Sequence, residues 1–145
     1  MSAEITVLLV DDHSLVRKGF RRILEDDPAI EVVGEACDGA EAVKLAQQFH
    51  PRVIVMDEPT TGLDVTTQSH VLDTIRSLCN EHSVAAIYVS HDLAVVGALC
   101  NRIAVMYSGR IVEVGSTLQL LSSPAHPDTR ALIHAVPDLD RKSAV

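Results

Sequence analysis

Short apolar runs alternate with helical stripes along the whole chain, and that alternation sets the expected architecture. Residues 5–10, Ile-Thr-Val-Leu-Leu-Val, form a nearly continuous apolar run closed by Asp11-Asp12, the pattern of a parallel strand buried on both faces. Leu15, Val16, Phe20, Ile23 and Leu24 then recur at helical spacing ahead of Pro28. Residues 30–36 read as a second strand, Asp38-Gly39 as the turn after it, and Ala42, Val43, Ala46 and Phe49 as the stripe of a second helix. Pro51 introduces a third strand, residues 53–56.

The same rhythm continues to the end. Val71, Leu72, Ile75, Leu78 and Cys79 predict a helix, residues 84–89 a strand, and Val95, Val96, Leu99 and Cys100 a short helix opened by Asp92. Residues 102–107 and 110–114 flank Ser108-Gly109 and predict a hairpin. A helical turn or two follows over 117–121, a last helix runs from Asp128 through Ala135, and residues from Pro137 onward read as a frayed tail. Repeated β-α alternation with short connections predicts a three-layer α/β sandwich, a mainly parallel five-stranded sheet with helices on both faces. At 145 residues the expectation is a single domain, with residues 138–145 as its tail.

Composition narrows the function classes. The chain is 47% apolar and 22% charged, which is globular, and with no Trp, two Tyr and two Phe its core must be aliphatic. A net charge of −8 and no basic patch argue against a nucleic-acid partner. Cys37, Cys79 and Cys100 have neither disulfide nor metal spacing and read as reduced thiols of a cytoplasmic protein. The first residues lack a charged and apolar leader, and no apolar run approaches membrane-spanning length, so membrane insertion is not expected.

Candidate chemistry gathers around Asp57. Asp11-Asp12 follow the first strand, Asp38-Gly39 precede the second helix, and Asp57 closes His50-Pro51-Arg52-Val53-Ile54-Val55-Met56. In these features residues 4–57 resemble the receiver domain of response regulators. The resemblance implies a flavodoxin-like fold in which carboxylates at the ends of neighbouring strands hold Mg²⁺. Asp12 and Asp57 would be metal ligands, Asp11 an outer partner and the Pro59 carbonyl a further ligand. Asp57 would be the phosphoacceptor, and Ser90 would contact the phosphoryl group.

From Val53 a second likeness begins. Asp57-Glu58-Pro59-Thr60-Thr61-Gly62-Leu63-Asp64, Ser90-His91-Asp92, the hairpin around Ser108-Gly109 and His126-Pro127-Asp128-Thr129-Arg130 resemble the second half of ABC-transporter ATPases, closest to those of peptide importers. By that resemblance Asp57-Glu58 would be the Walker B pair, with Glu58 polarising water, Asp64 would lie in the D-loop, and His91 would be the switch histidine. The phosphate-cradling Gly-x-x-x-x-Gly-Lys-Ser/Thr is absent, as is the ABC signature, so ATP binding and hydrolysis are not expected.

The two likenesses meet in phase, because a proline stands six residues before the key aspartate in both. The expectation is a chimera of engineered origin, receiver-like over 1–57 and ABC-like over 58–137, without secure catalysis but with a Mg²⁺ pocket. The rival readings are a weakly active phosphorelay receiver and a truncated ABC ATP-binding subunit. Sheet order separates them: 2-1-3-4-5 if the receiver half dictates, which strands one to three favour, or a P-loop-like 5-1-4-3-2. Helices cut from a missing subdomain would leave exposed apolar surface, a route to self-association.

Overall fold

The computed structural model describes residues 5–60 and 62–136; the tail expected from Pro137 onward lies outside them. In chain order the elements are β1 (Ile5–Val10), α1 (Ser14–Glu25), β2 (Ile30–Ala36), α2 (Gly39–Phe49), β3 (Val53–Asp57), α3 (Val65–His82), β4 (Ala85–Val89), α4 (Leu93–Leu99), β5 (Arg102–Tyr107), β6 (Arg110–Ser116), α5 (Thr117–Ser122) and α6 (Pro127–His134). They divide into two compact units, Met1–Val89 and Ser90–Val145. No helix among the described residues is long and apolar enough to cross a membrane.

The first unit is a four-stranded sheet in the order β2-β1-β3-β4, with every pair parallel. These are the first four strands of the receiver-type order. The P-loop-like alternative would insert strand four between strands one and three, and direct pairing of Val7 with Val53 through Val10 with Met56 rules that out. The fifth strand differs from expectation: β5 pairs antiparallel with β6 in a two-stranded sheet of its own. The hairpin itself is set by its turn. Ser108 and Gly109 both take positive φ, 49° and 74°, the left-handed pair that turns a chain back in two residues and matches strand twist.

One face of the parallel sheet carries the larger core. Leu8, Val10, Ile54 and Met56 meet Ala42 and Ala46 of α2 and Ile75 and Leu78 of α3. The alternation of the strands sends Val7, Leu9 and Val32 to the other face, where Leu24 of α1 packs on them. That second layer is thin: Leu15 and Ile23 of α1 are 81% and 68% exposed, and Ile87 and Val89 of β4 are 54% and 48% exposed.

Two fits fix the helices. Glu35 of β2 accepts from Arg21 Nη1 at 2.8 Å and from Arg17 Nε at 3.4 Å, while Arg21 Nη2 reaches the Val32 carbonyl at 3.0 Å, so polar bonds tie α1 down where apolar contact is sparse. On the other face Gly39 is buried at the start of α2, and a Cβ there would collide with the Val71 side chain of α3.

In the second unit Asp92 caps α4 by accepting from the amides of Ala94 and Val95 at 3.0 and 3.3 Å. The Glu113 carboxylate of β6 accepts from the amides of Ala125 and His126 at 2.9 and 3.0 Å, which holds the approach to α6. Ile103, Val105, Leu120 and Ile133 are its buried apolar residues alongside Leu93 and Val96.

Gly39→Ala is expected to destabilise the protein by about 1–3 kcal/mol through overpacking, and adding Val71→Ala should restore part of the loss in denaturant melts. Glu35→Gln should cost at most about 1 kcal/mol at neutral pH, since the pair is partly solvated. Hydrogen bonds from Arg21, then Arg17, hold the Glu35 carboxyl below its ordinary range. Its contribution is therefore present above the unfolded-state pKa and lost as pH falls through the folded one, so the two proteins should converge in acid.

Candidate functional site

The site sits where β1 and β3 end side by side. Because Val10 pairs with Met56, the next residues, Asp11 and Asp57, leave neighbouring strands at the same level. Asp11 is still ladder-bound, its amide donating to the Ala36 carbonyl at 3.1 Å, and its side chain is buried. A buried carboxylate needs partners. Asp11 Oδ1 accepts from the His13 amide at 2.8 Å and stands 3.2 Å from His13 Nδ1, and Arg17 Nη1 donates to the Asp11 carbonyl. Asp12 is exposed, with Oδ1 2.7 Å from His13 Nδ1.

Asp57 is half-buried at the end of β3. Its carboxyl is pushed above the ordinary aspartate range, first by burial, then by the charges of Asp11 and Glu58, a hydrogen bond with Asp11 and the charge of Asp12. Like charges brought together in a partly dry crevice cannot all ionise cheaply. The crevice therefore calls for a proton or a cation. An all-oxygen carboxylate set fits a hard divalent ion such as Mg²⁺. Asp11, Asp12 and His13 also place potential ligand atoms within 4.8 Å of one another.

Glu58 follows with φ of 46°, a left-handed residue that breaks the strand, and its amide donates to the Val89 carbonyl at 2.9 Å. Pro59, half-buried, comes next in the turn. Asp64 is the residue that precedes α3 as its N-cap. Ser90 and His91 open the second unit, where the Ser90 hydroxyl accepts from the Asp92 amide at 3.0 Å. Tyr107 and Arg110 face each other across the hairpin.

The first unit thus brings together Asp11, Asp12, Asp57 and Glu58. His13 and Arg17 were not among the sequence candidates. His13 follows the acidic pair directly, so its adjacency was the available signal; Arg17 lies one helical turn into α1, and its hydrogen bond to a backbone carbonyl leaves no trace in a residue pattern.

Comparison with known proteins gives two overlapping likenesses. The response regulator receiver domain model matches residues 7–91. The glutathione import ATP-binding protein GsiA of Escherichia coli O1:K1 / APEC is 45% identical over 97 residues, 67% of this chain and 16% of that protein. GsiA of Escherichia coli strain K12 is 44% identical over the same length. The chain spans only 16% of the length of these curated relatives. The receiver span and the 97-residue span cannot lie end to end in 145 residues, so they overlap. Among solved structures, a signal receiver domain from Mycobacterium tuberculosis has a TM-score of 0.50 at 27% identity, over 66% of this chain and 74% of that one. The response regulator domain of Thermotoga maritima CheB is 32% identical over 60% of each chain, with a TM-score of 0.49.

Asp57→Asn should raise the melting temperature at pH 7 in the absence of divalent ions, because it removes one charge from the crowded set. The sign follows from the raised carboxyl: its penalty is present at neutral pH and disappears as pH falls below the ordinary aspartate value of about 3.9. Thermal melts of the two proteins should therefore differ at pH 7 and converge in acid.

Proposed function

This chain belongs to the response regulator receiver domain family over residues 7–91, and on that premise we propose that its acidic crevice binds Mg²⁺ and that Asp57 accepts a phosphoryl group. We further propose that the chain is an engineered chimera, its later part derived from an ABC-type ATP-binding subunit. The observation that carries the functional reading is the direct pairing of β1 with β3, which sets Asp11 and Asp57 at the same level on neighbouring strand ends.

Asp11, Asp12 and Asp57 would hold the ion, with the Pro59 carbonyl as a further ligand. Bound Mg²⁺ would supply neutralisation of the carboxylates and of the incoming phosphoryl oxygens. The chain's own residues do the rest. A carboxylate oxygen of Asp57 attacks the phosphorus of a small donor such as acetyl phosphate. The bond from phosphorus to the acetate oxygen breaks, and acetate leaves with the electron pair, so no proton has to be moved. His13 and Arg17 position Asp11, which in turn sets the charge facing Asp57.

The likeness to GsiA favours a second reading, a fragment of an ATP-binding subunit in which Asp57 and Glu58 are the Walker B pair. With no phosphate-cradling loop in the sequence, Glu58 has no positioned γ-phosphate beside it.

Incubation with acetyl phosphate and Mg²⁺, followed by intact-mass measurement, separates the readings. One phosphoryl adduct is expected on the unsubstituted protein and none on Asp57→Asn. Absence of any Asp57-dependent adduct overturns the phosphoacceptor reading, and measurable ATP binding by calorimetry would favour the ATP-binding one.

A further inference from the structure

The opposite end of the same sheet holds a second cluster of ligand-type side chains. α2 and α3 run antiparallel to the strands, so their C-termini emerge at the amino ends of β3 and β4. His50 caps α2 in the left-handed conformation, φ 49° and ψ 56°, with its amide donating to the Ala46 carbonyl at 2.9 Å. His82 is the last residue of α3, followed by the left-handed cap Ser83. The two helices share one core through Ala42, Ala46, Ile75 and Leu78, which brings their ends together. The His50 and His82 rings lie with centres 6.0 Å apart, tilted by 57°.

We propose that His50 and His82 form a two-imidazole site for a divalent transition-metal ion of the Ni²⁺, Cu²⁺ or Zn²⁺ class. Distance supports it: with metal–nitrogen bonds of about 2.0–2.1 Å, two imidazoles on one ion have ring centres roughly 4.5–6.5 Å apart. Electrostatics supports it independently. Each helix C-terminus carries about half a negative charge on its last carbonyls, and two such ends meet where both rings are exposed. Imidazole ligands select borderline transition metals, and the His50–His82 pair carries no carboxylate, unlike the crevice, where His13 stands beside Asp11 and Asp12. Among the described residues no third His, Cys, Asp or Glu joins the pair at metal-ligand spacing. The remaining positions of the ion are therefore left to water or to an exchangeable ligand.

The test is Ni²⁺ titration of the full, untagged chain by calorimetry in excess Mg²⁺, which occupies the carboxylates. His50→Asn keeps a residue that tolerates the left-handed cap, and His82→Gln keeps a good helix former, so both should melt like the parent without metal. Each is expected to weaken Ni²⁺ binding at least tenfold. Parent-like Ni²⁺ binding in the His50→Asn/His82→Gln double variant overturns the proposal, as does loss of binding in His13→Gln alone. Proton NMR of the unsubstituted protein gives a check free of any folding defect. Ni²⁺ should broaden the imidazole signals of His50 and His82 together, and broadening confined to His13 counts against the site.

Discussion

The direct parallel pairing of β1 with β3 is the constraint on which the rest of the first unit depends. It places Leu8 and Val10 beside Ile54 and Met56, so that one continuous aliphatic surface receives α2 and α3. It also ends both strands at the same level, which is why Asp11 and Asp57 cannot avoid each other. Core formation and site formation are one event here. The burial that stabilises the sheet creates the crevice in which an ionised Asp57 becomes costly, and that cost is what a cation would relieve.

Much of this was legible in the residue pattern, because it depends on runs and periods. The apolar run of β1, the stripe of α3 and the Ser108-Gly109 turn each produced the element expected. The destination of β5 was less legible. Strand character in residues 102–107 says nothing about which neighbour takes the edge, and in the structure β6 is the strand that pairs with β5. At the site, carboxylates at strand ends were readable from spacing. The roles of His13 and Arg17 were not, since they act on one side-chain oxygen and one backbone carbonyl whose positions exist only once α1 is docked.

Asp57 is where the two sequence likenesses meet in phase, and the fold runs on through it. α3 and β4, which follow Asp57, complete the sheet that β1, β2 and β3 begin, and the receiver family match runs through to residue 91. A strand that ends in an aspartate, followed by a helix and another parallel strand, satisfies both likenesses at once. The division into compact units falls later, after Val89.

The contact of Gly39 with Val71 then takes on a meaning beyond stability. The two residues come from opposite sides of Asp57, and the closeness of α2 to α3 rests on a missing methyl group at one of them. Any exchange of chain segments at that aspartate must match the girth of the incoming helix to the gap left at position 39. Donors with a bulkier residue at 39 would require a slimmer one at 71. A single steric pairing thus acts as a compatibility filter on which halves of related sheets can be spliced and still close.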